Sequence, residues 1–131
     1  MSQILIVDDD PDAREILNLV LGTLDISIIQ AVNGIEALDA VATEIPLIMV
    51  LDLSMPNLDG EAVLGRLREN PQTAEVPIIV FTAKTLTVEE LTRLNVPNQM
   101  VVRKGKLSMT HLRDLVMDIL KVRAGLTFEN L

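Results

Sequence analysis

The sequence of 131 residues predicts an α/β fold in which helices cover both faces of one doubly wound parallel sheet. Five short runs rich in Val and Ile are apolar at successive positions, which favours strands that are buried on both faces. The segments between them repeat apolar residues with helical spacing. Strand and helix therefore alternate five times, an order that implies right-handed crossovers and a (βα)5 architecture. The five runs are Ile4–Val7, Ile26–Ile29, Leu47–Leu51, Ile78–Phe81 and Met100–Val102.

The first helix follows the first apolar run. Asp10 is a suitable N-cap, and Pro11 suits the first turn because the backbone N–H that proline lacks has no partner there. Apolar residues then recur at helical spacing and form one wide stripe, which comprises Ala13, Ile16, Leu17, Val20, Leu21 and Leu24. We expect this stripe to pack against the sheet.

Start and stop signals mark the other four helices. The second and fourth begin with pairs typical of a capping box, namely Asn33 with Glu36 and Thr87 with Glu90. The third has the apolar stripe Val63, Leu64 and Leu67, and the dipeptide Asn70-Pro71 ends it. The fifth is predicted from Ser108 to about Gly125, with apolar positions at Leu112, Leu115, Val116, Ile119 and Val122.

Length and composition limit the class of protein. One domain is expected over residues 1–125, and residues 126–131 form a tail without a clear pattern. The absence of cysteine excludes disulfides and thiolate metal sites. The net charge of −8 disfavours nonspecific binding to nucleic acid, which needs a basic face. The N-terminus lacks the basic region of a signal peptide and no apolar run reaches the roughly 20 residues of a membrane helix, so a soluble, cytoplasmic protein is expected.

Chemically reactive side chains follow the apolar runs. In an open parallel sheet, ligands bind outside the carboxyl ends of the strands, and there the sequence places Asp8, Asp9, Asp52, Thr82 and Lys104. Three acids at one edge repel one another unless a cation intervenes, and Mg²⁺ prefers such oxygen ligands. Thr82 supplies a hydrogen-bond donor and Lys104 a positive charge for a phosphoryl oxygen. The set suits phosphoryl transfer, with Asp52 as the candidate nucleophile.

These motifs resemble the receiver domain of two-component response regulators, the family that includes the chemotaxis regulators. The resemblance covers residues 3–123 and rests on an acidic pair after the first strand, D-x-x-M-P-x-x-D-G from Asp52 to Gly60, Thr82-Ala83 and Lys104. It implies a flavodoxin-like sheet of strand order 2-1-3-4-5. Met55-Pro56 and Asp59-Gly60 are expected to shape the loop after the third strand.

The resemblance also implies the role of each acid. Asp52 would be phosphorylated by a histidine kinase or a histidine phosphotransfer protein. Mg²⁺ would be bound directly by Asp9, Asp52 and the backbone carbonyl of Ser54, while Asp8 would act through a bound water. The chain would then be a stand-alone signalling module rather than an enzyme, since it would catalyse only its own phosphorylation and dephosphorylation.

Two departures from the family pattern concern the response to phosphorylation. The resemblance implies that Thr82 moves towards the phosphoryl group and that Lys104 pairs with it. The family often has an aromatic residue on the fifth strand that turns inward with this movement, and here that position is Val101. The lysine is usually followed by proline, and here by Gly105, so a mobile loop is expected.

Output is expected through protein contacts. The chain ends without room for a DNA-binding domain, and the family surface of helix four, strand five and helix five would contact the target. This surface would include Leu91, Leu94, Val101, Arg103 and residues 108–122, with Glu89, Glu90 and Arg93 available for ion pairs in a dimer and His111 as a surface residue. Ser54 and Lys84 lie two positions after Asp52 and Thr82, and we hypothesise that they alter the lifetime of the phosphate.

Other classes of protein remain as alternatives. A Mg²⁺-dependent phosphohydrolase of the haloacid dehalogenase type would have D-x-D at the nucleophile, and here the third position is Ser54. A flavin-binding protein would need a phosphate loop where this chain reads DDDPD, and aromatic residues that it lacks. A receiver that works without phosphorylation is disfavoured by the intact acids. A receiver segment of a hybrid sensor kinase is also compatible with Lys104-Gly105.

Overall fold

The computed structural model describes residues 3–55 and 59–125. Strands and helices alternate along these residues as the sequence predicted. They are β1 (Gln3–Val7), α1 (Pro11–Leu21), β2 (Ser27–Ala31), α2 (Gly34–Thr43), β3 (Ile48–Leu51), α3 (Gly60–Glu69), β4 (Ile78–Thr82), α4 (Val88–Leu94), β5 (Gln99–Arg103) and α5 (Met109–Ala124). A short 3-10 helix, Gly22–Leu24, follows α1. The tail predicted at residues 126–131 lies outside the described residues.

All pairings in the sheet are parallel, and the strand order is β2-β1-β3-β4-β5. Both the parallel (βα)5 class and the order 2-1-3-4-5 are therefore confirmed. Successive strands are added to one side of β1 and then to the other, so the strand order reverses between β1 and β3. An open α/β sheet forms a crevice at this point, at the carboxyl ends of its strands.

Two aliphatic cores cover the two faces of the sheet. On one face, residues of β1, β3 and β4 pack against α2 and α3, with Leu94 of α4 at the margin. On the other face, alternate residues of the same strands pack against α1 and α5. Burying each large aliphatic side chain contributes about 1.5–3 kcal/mol. The three central strands therefore form a rigid support for whatever follows them.

The edge strand β2 differs from the prediction. It was expected to be buried on both faces, but it lies at the end of the sheet and Ile29 is 38% exposed. On α1, Leu17 and Leu21 are buried as predicted, whereas Ile16 is 48% exposed. Ile29 is exposed because an edge strand has a neighbouring strand on one side only.

Side-chain caps fix the starts of the helices. The predicted caps Asp10, Asn33 and Thr87 each accept a backbone N–H from the first turn, and Asp59 and Ser108 do the same for α3 and α5. The capping box of α4 is complete, whereas Glu36 accepts the N–H of Val32 instead of that of Asn33. Helix α5 ends at Gly125, whose φ of 66° favours glycine. No described helix is both long enough and apolar enough to cross a bilayer.

Candidate functional site

Three carboxylates meet at the carboxyl ends of β1 and β3. Val7 of β1 is paired with Leu51 of β3, so the residues that follow them, Asp8 and Asp52, leave the sheet side by side. One oxygen each of Asp8, Asp9 and Asp52 lies within 4.8 Å of the others. Asp8 is 1% and Asp52 7% exposed, and Asp9 is exposed. The register of two central strands thus creates the acid cluster predicted from the sequence.

Lys104 joins the cluster from β5. Its Nζ lies 2.7 Å from Asp8 Oδ2 and 3.5 Å from Asp52 Oδ2, and 5.7 Å from the centroid of the Phe81 ring. Its backbone N–H donates to the carbonyl of Thr82 at 2.8 Å. Burial favours a lower pKa for Lys104, but the hydrogen bond to Asp8 and the charge of Asp52 outweigh it and raise the pKa above its ordinary value. The ammonium therefore stays charged between the two acids.

The pleat of the strands explains why these three side chains meet. Side chains two positions apart on a strand point to the same face. Asp8, Asp52 and Lys104 each follow, by two positions, a residue of the core that packs against α1 and α5, namely Ile6, Val50 and Val102. The alternation that places those residues in one core directs the next side chains towards each other at the edge of the sheet.

Backbone donors orient the two buried carboxylates. Asp8 Oδ1 accepts the N–H of Asp10 at 3.0 Å, and Asp52 Oδ1 accepts the N–H of Ser54 at 3.3 Å. The second oxygen of Asp8 is bonded to Lys104. Both oxygens of Asp8 are therefore engaged. Ser54 is exposed at the opening of the site.

Arg14 of α1 also reaches the site, although the sequence did not indicate it as a site residue. Its guanidinium NH1 donates to the carbonyl of Asp8 at 2.8 Å. Its contact holds the turn between β1 and α1, which carries Asp9.

Thr82 is 1% exposed at the end of β4, the strand beside β3. Its hydroxyl oxygen accepts the N–H of Lys84 at 3.2 Å, which leaves the hydroxyl proton to be donated elsewhere. Lys84, expected near the phosphate, directs its Nζ to Glu90 Oε2 at 2.6 Å. Among the described residues the ion pairs with the acids of the site come from Lys104 and not from Lys84.

The residues expected to carry the output occupy different environments. Leu91 is exposed, but Leu94 is 4% exposed and belongs to the core, so its assignment to the contact surface was wrong. Val101 is partly buried against the same core. His111 is exposed, as expected. Two of the residues expected to form ion pairs in a dimer are paired within the chain, Glu90 with Lys84 and Arg93 with Glu61.

Gly105 explains the missing proline after Lys104. Its φ is 84°, a conformation that proline cannot adopt, since its ring fixes φ near −65°. The N–H of Lys106 donates to the carbonyl of Arg103 at 3.1 Å and closes the turn. Of the family loop after β3, Met55 is buried and Asp59 caps α3, while Pro56 lies outside the described residues.

The donor set fits a small, hard divalent cation. Three carboxylates with one ammonium leave an excess of negative charge, and carboxylate oxygens are the ligands that Mg²⁺ prefers. The exposed Asp9 leaves one side of the cluster open to solvent. Room for waters or a phosphoryl oxygen is what Mg²⁺ requires, because it dehydrates reluctantly.

Comparison with known proteins identifies the class. The sequence profile described as "Response regulator receiver domain" matches residues 4–116. The response regulator TrrA from Thermotoga maritima, solved in complex with Mg²⁺ and BeF, is 30% identical, with a TM-score of 0.76 over 92% of this chain and all of that one. The receiver domain of a histidine kinase from Syntrophus aciditrophicus, 24% identical, has a TM-score of 0.83 over the whole of this chain and 98% of its own. The fold is thus that of a receiver domain, and this chain belongs to the response regulator receiver domain family.

Among curated relatives, the "DNA-binding dual master transcriptional regulator RpaA" of Synechocystis is 38% identical over 84 residues, which cover 63% of this chain and 34% of RpaA. The matches span between 34% and 61% of the length of the first three curated relatives. These proteins are therefore similar to this chain in one part of their length.

Proposed function

We propose that this chain is a receiver domain that accepts a phosphoryl group on Asp52 from a histidine kinase or a histidine phosphotransfer protein. A carboxylate oxygen of Asp52 forms a bond to phosphorus while the P–N bond of the donor phosphohistidine breaks. The imidazole nitrogen keeps the electron pair of that bond and takes up a proton. Later, water attacks phosphorus, the bond to Asp52 breaks, and inorganic phosphate leaves with the carboxylate restored.

The observation that best supports this proposal is the position of Lys104 between Asp8 and Asp52. Phosphoryl transfer depends mainly on positioning and on neutralising charge. A nucleophilic carboxylate repels an incoming phosphoryl group unless cations offset its charge, and a fixed ammonium 3.5 Å from Asp52 does part of this. Thr82, on the neighbouring strand, has a hydroxyl proton to donate to a phosphoryl oxygen.

The proposal includes Mg²⁺, bound directly by Asp9, Asp52 and the carbonyl of Ser54. When bound, the ion would neutralise charge on the phosphoryl oxygens. Asp8, whose oxygens accept hydrogen bonds from Asp10 and Lys104, would act mainly through a bound water, as the family resemblance implies. The relative TrrA, which was solved in complex with Mg²⁺ and BeF, supports this part of the proposal.

The phosphorylated form is proposed to act through protein contacts made by α4, β5 and α5, in the cytoplasm. Large apolar side chains are exposed on these elements, among them Leu91 and Met100. The net charge of −8 supports a protein partner rather than direct contact with nucleic acid.

Uptake of phosphate tests the function. The protein is incubated with acetyl phosphate, with Mg²⁺ or with EDTA, and its intact mass is measured. We expect the mass of one phosphoryl group to be added only with Mg²⁺, and no addition to Asp52→Asn. Equal uptake by the parent and by Asp52→Asn contradicts the proposal, as does rapid release of phosphate from many phosphomonoesters, which indicates a phosphohydrolase.

A further inference from the structure

A continuous set of polar contacts runs from the hydroxyl of Thr82 to the start of α4. The N–H of Lys84 donates to Thr82 Oγ1 at 3.2 Å. The side chain of the same lysine reaches Glu90 Oε2 at 2.6 Å, in an exposed ion pair. Backbone and side chain of Lys84 thus connect the buried end of β4 with the first turn of the helix.

Glu90 has two separate contacts, one for each carboxylate oxygen. Its Oε1 accepts the N–H of Thr87 at 3.0 Å, while its own N–H donates to Thr87 Oγ1 at 3.1 Å, which completes the capping box of α4. Its Oε2 binds Lys84. The hydrogen bond from Lys84 and that from the backbone of Thr87 lower the pKa of Glu90 to about 2, so the carboxylate is charged at neutral pH. A shift of the loop at Lys84 must therefore move the helix cap or break the ion pair.

The family often has an aromatic residue on the fifth strand that turns inward after phosphorylation, and here that position is the aliphatic Val101. Another contact is therefore needed between the phosphorylation site and the surface of α4. The loop from β4 to α4 also forms a side-chain hydrogen bond to β5, from Arg103 NH2 to Thr85 Oγ1 at 2.8 Å. Lys84 and Glu90 connect the loop to α4, and Lys84 in addition contacts the hydroxyl of Thr82.

We propose that the Lys84–Glu90 ion pair stabilises the unphosphorylated arrangement of the β4–α4 loop, with Glu90 as a positioning residue that opposes the change produced by phosphorylation. This inference rests on the proposed function. When the Thr82 hydroxyl turns to donate to a phosphoryl oxygen on Asp52, the backbone at Lys84 follows and the pair opens. A contact made in one state alone shifts the equilibrium towards that state, so its removal favours the phosphorylated arrangement.

Binding of beryllofluoride with Mg²⁺, followed by NMR titration of the whole chain, tests this inference. The variants are Glu90→Gln, Lys84→Gln and the double variant. The amide of Gln still accepts the N–H of Thr87, so the cap persists while the ion pair is lost. We expect each single variant to bind about two- to five-fold more tightly, the range that an exposed ion pair supplies. The double variant should gain no more than a single one, because both changes remove the same contact.

The sign of the change in beryllofluoride affinity distinguishes the loss of the ion pair from a general effect of charge. Removing a negative charge favours an anionic ligand and removing a positive charge disfavours it. Charge effects alone therefore predict tighter binding for Glu90→Gln and weaker binding for Lys84→Gln, which would overturn the inference. Lys84→Arg, which retains the cation, should bind like the parent. Glu61→Gln breaks the other ion pair of α4, with Arg93, and serves as the matched control expected to change nothing.

Unchanged affinity in both single variants overturns the inference and leaves the proposed function intact. A parent protein that does not bind beryllofluoride, or binds it equally well after Asp52→Asn, overturns both. Thermal unfolding of each variant is measured first, and Lys84→Gln tests the ion pair on its own if Glu90→Gln does not fold.

Discussion

Lys104 Nζ lies 2.7 Å from Asp8 Oδ2 and 3.5 Å from Asp52 Oδ2, so one ammonium bridges two buried acids that follow different strands. The acids come from the centre of the sheet and the lysine from its edge strand β5. This arrangement offsets part of the negative charge of the acid cluster. It also places a cation beside the residue proposed to accept phosphate.

Lys104→Gln should lower the free energy of unfolding, because it removes the cation that lies between the acids of the cluster. Breaking a buried ion pair usually costs about 3–5 kcal/mol. The Lys104 side chain is 22% exposed and partly screened by water, so we expect the free energy of unfolding without metal to fall by about 1–2 kcal/mol. Mg²⁺ should restore more stability to the variant than it adds to the parent, because it supplies the missing positive charge. Urea unfolding with and without Mg²⁺ measures both effects.

The control for that experiment is Lys106→Gln, which removes an exposed lysine from the same turn. Its stability and its response to Mg²⁺ should match those of the parent. If Lys104→Gln behaves like this control, the bridging lysine has no electrostatic role in the unphosphorylated protein.

Gly60→Ala, at the start of α3, should displace the backbone of Asp52, the proposed phosphate acceptor. A Cβ at this position would lie 2.6 Å from Leu53 Cα and 2.7 Å from the carbonyl oxygen of Asp52, so the backbone must move. We expect a loss of about 1–3 kcal/mol, as for an overpacked core, together with slower phosphorylation of Asp52. Chemical unfolding and the rate of uptake from acetyl phosphate measure the two effects.

Gly65 in the same helix provides the matched control, since a Cβ there has nothing within 4 Å. Gly65→Ala should stabilise the protein by about 0.5–1 kcal/mol through helix propensity. Two variants with equal stability and equal phosphorylation rates would show that the contact at Gly60 is unimportant.

Arg68 should be important for stability, although it lies away from the site. Its guanidinium donates to the carbonyls of Ala74 and Val76 and to that of Asn98, at 2.8–3.1 Å. Burial lowers its pKa from the ordinary value, but a guanidinium remains charged at neutral pH. Arg68→Met leaves the carbonyls of Ala74 and Val76 without this donor, whereas that of Asn98 still accepts the N–H of Ile78. We expect a loss of about 2–3 kcal/mol. Denaturant unfolding measures it, with exposed Arg66→Met from the same helix as the near-neutral control.

Glu90 should titrate far below an ordinary glutamate. The hydrogen bond from Lys84 and that from the backbone of Thr87 lower its pKa to about 2. A carboxylate with a lowered pKa stabilises the folded state above its unfolded pKa of 4.5, and this contribution is lost as the pH falls through about 2. NMR titration of the side-chain carboxyl should give that midpoint, and Lys84→Gln should raise it. A midpoint near 4.5 in the parent would show that the pair does not form in solution.

The central strands were predictable because they are buried on both faces and their sequences are continuously apolar. β2 was predicted as Ile26–Ile29 and is Ser27–Ala31, with Ile29 exposed. Hydropathy reports how apolar a segment is, whereas its position at the edge follows from the strand order, which the family resemblance supplied.

The acids and Lys104 were predictable for a related reason. Parallel strands end at one edge, and the pleat directs Asp8 and Asp52 the same way. The contacts of Arg14 with Asp8 and of Glu90 with Lys84 were not predicted, since they depend on the path of a loop and on the conformation of a long side chain. Such contacts leave no periodic pattern in a sequence.

Identification of the phosphorylated residue tests the central claim most directly. The protein is treated with acetyl phosphate and Mg²⁺, digested at low pH, and its peptides are fragmented in a mass spectrometer. We expect one phosphoryl group, on Asp52, and none on Asp8 or Asp9. A phosphoryl group on any other residue, or an Asp52 that stays unmodified while the described acid cluster is intact, would contradict it.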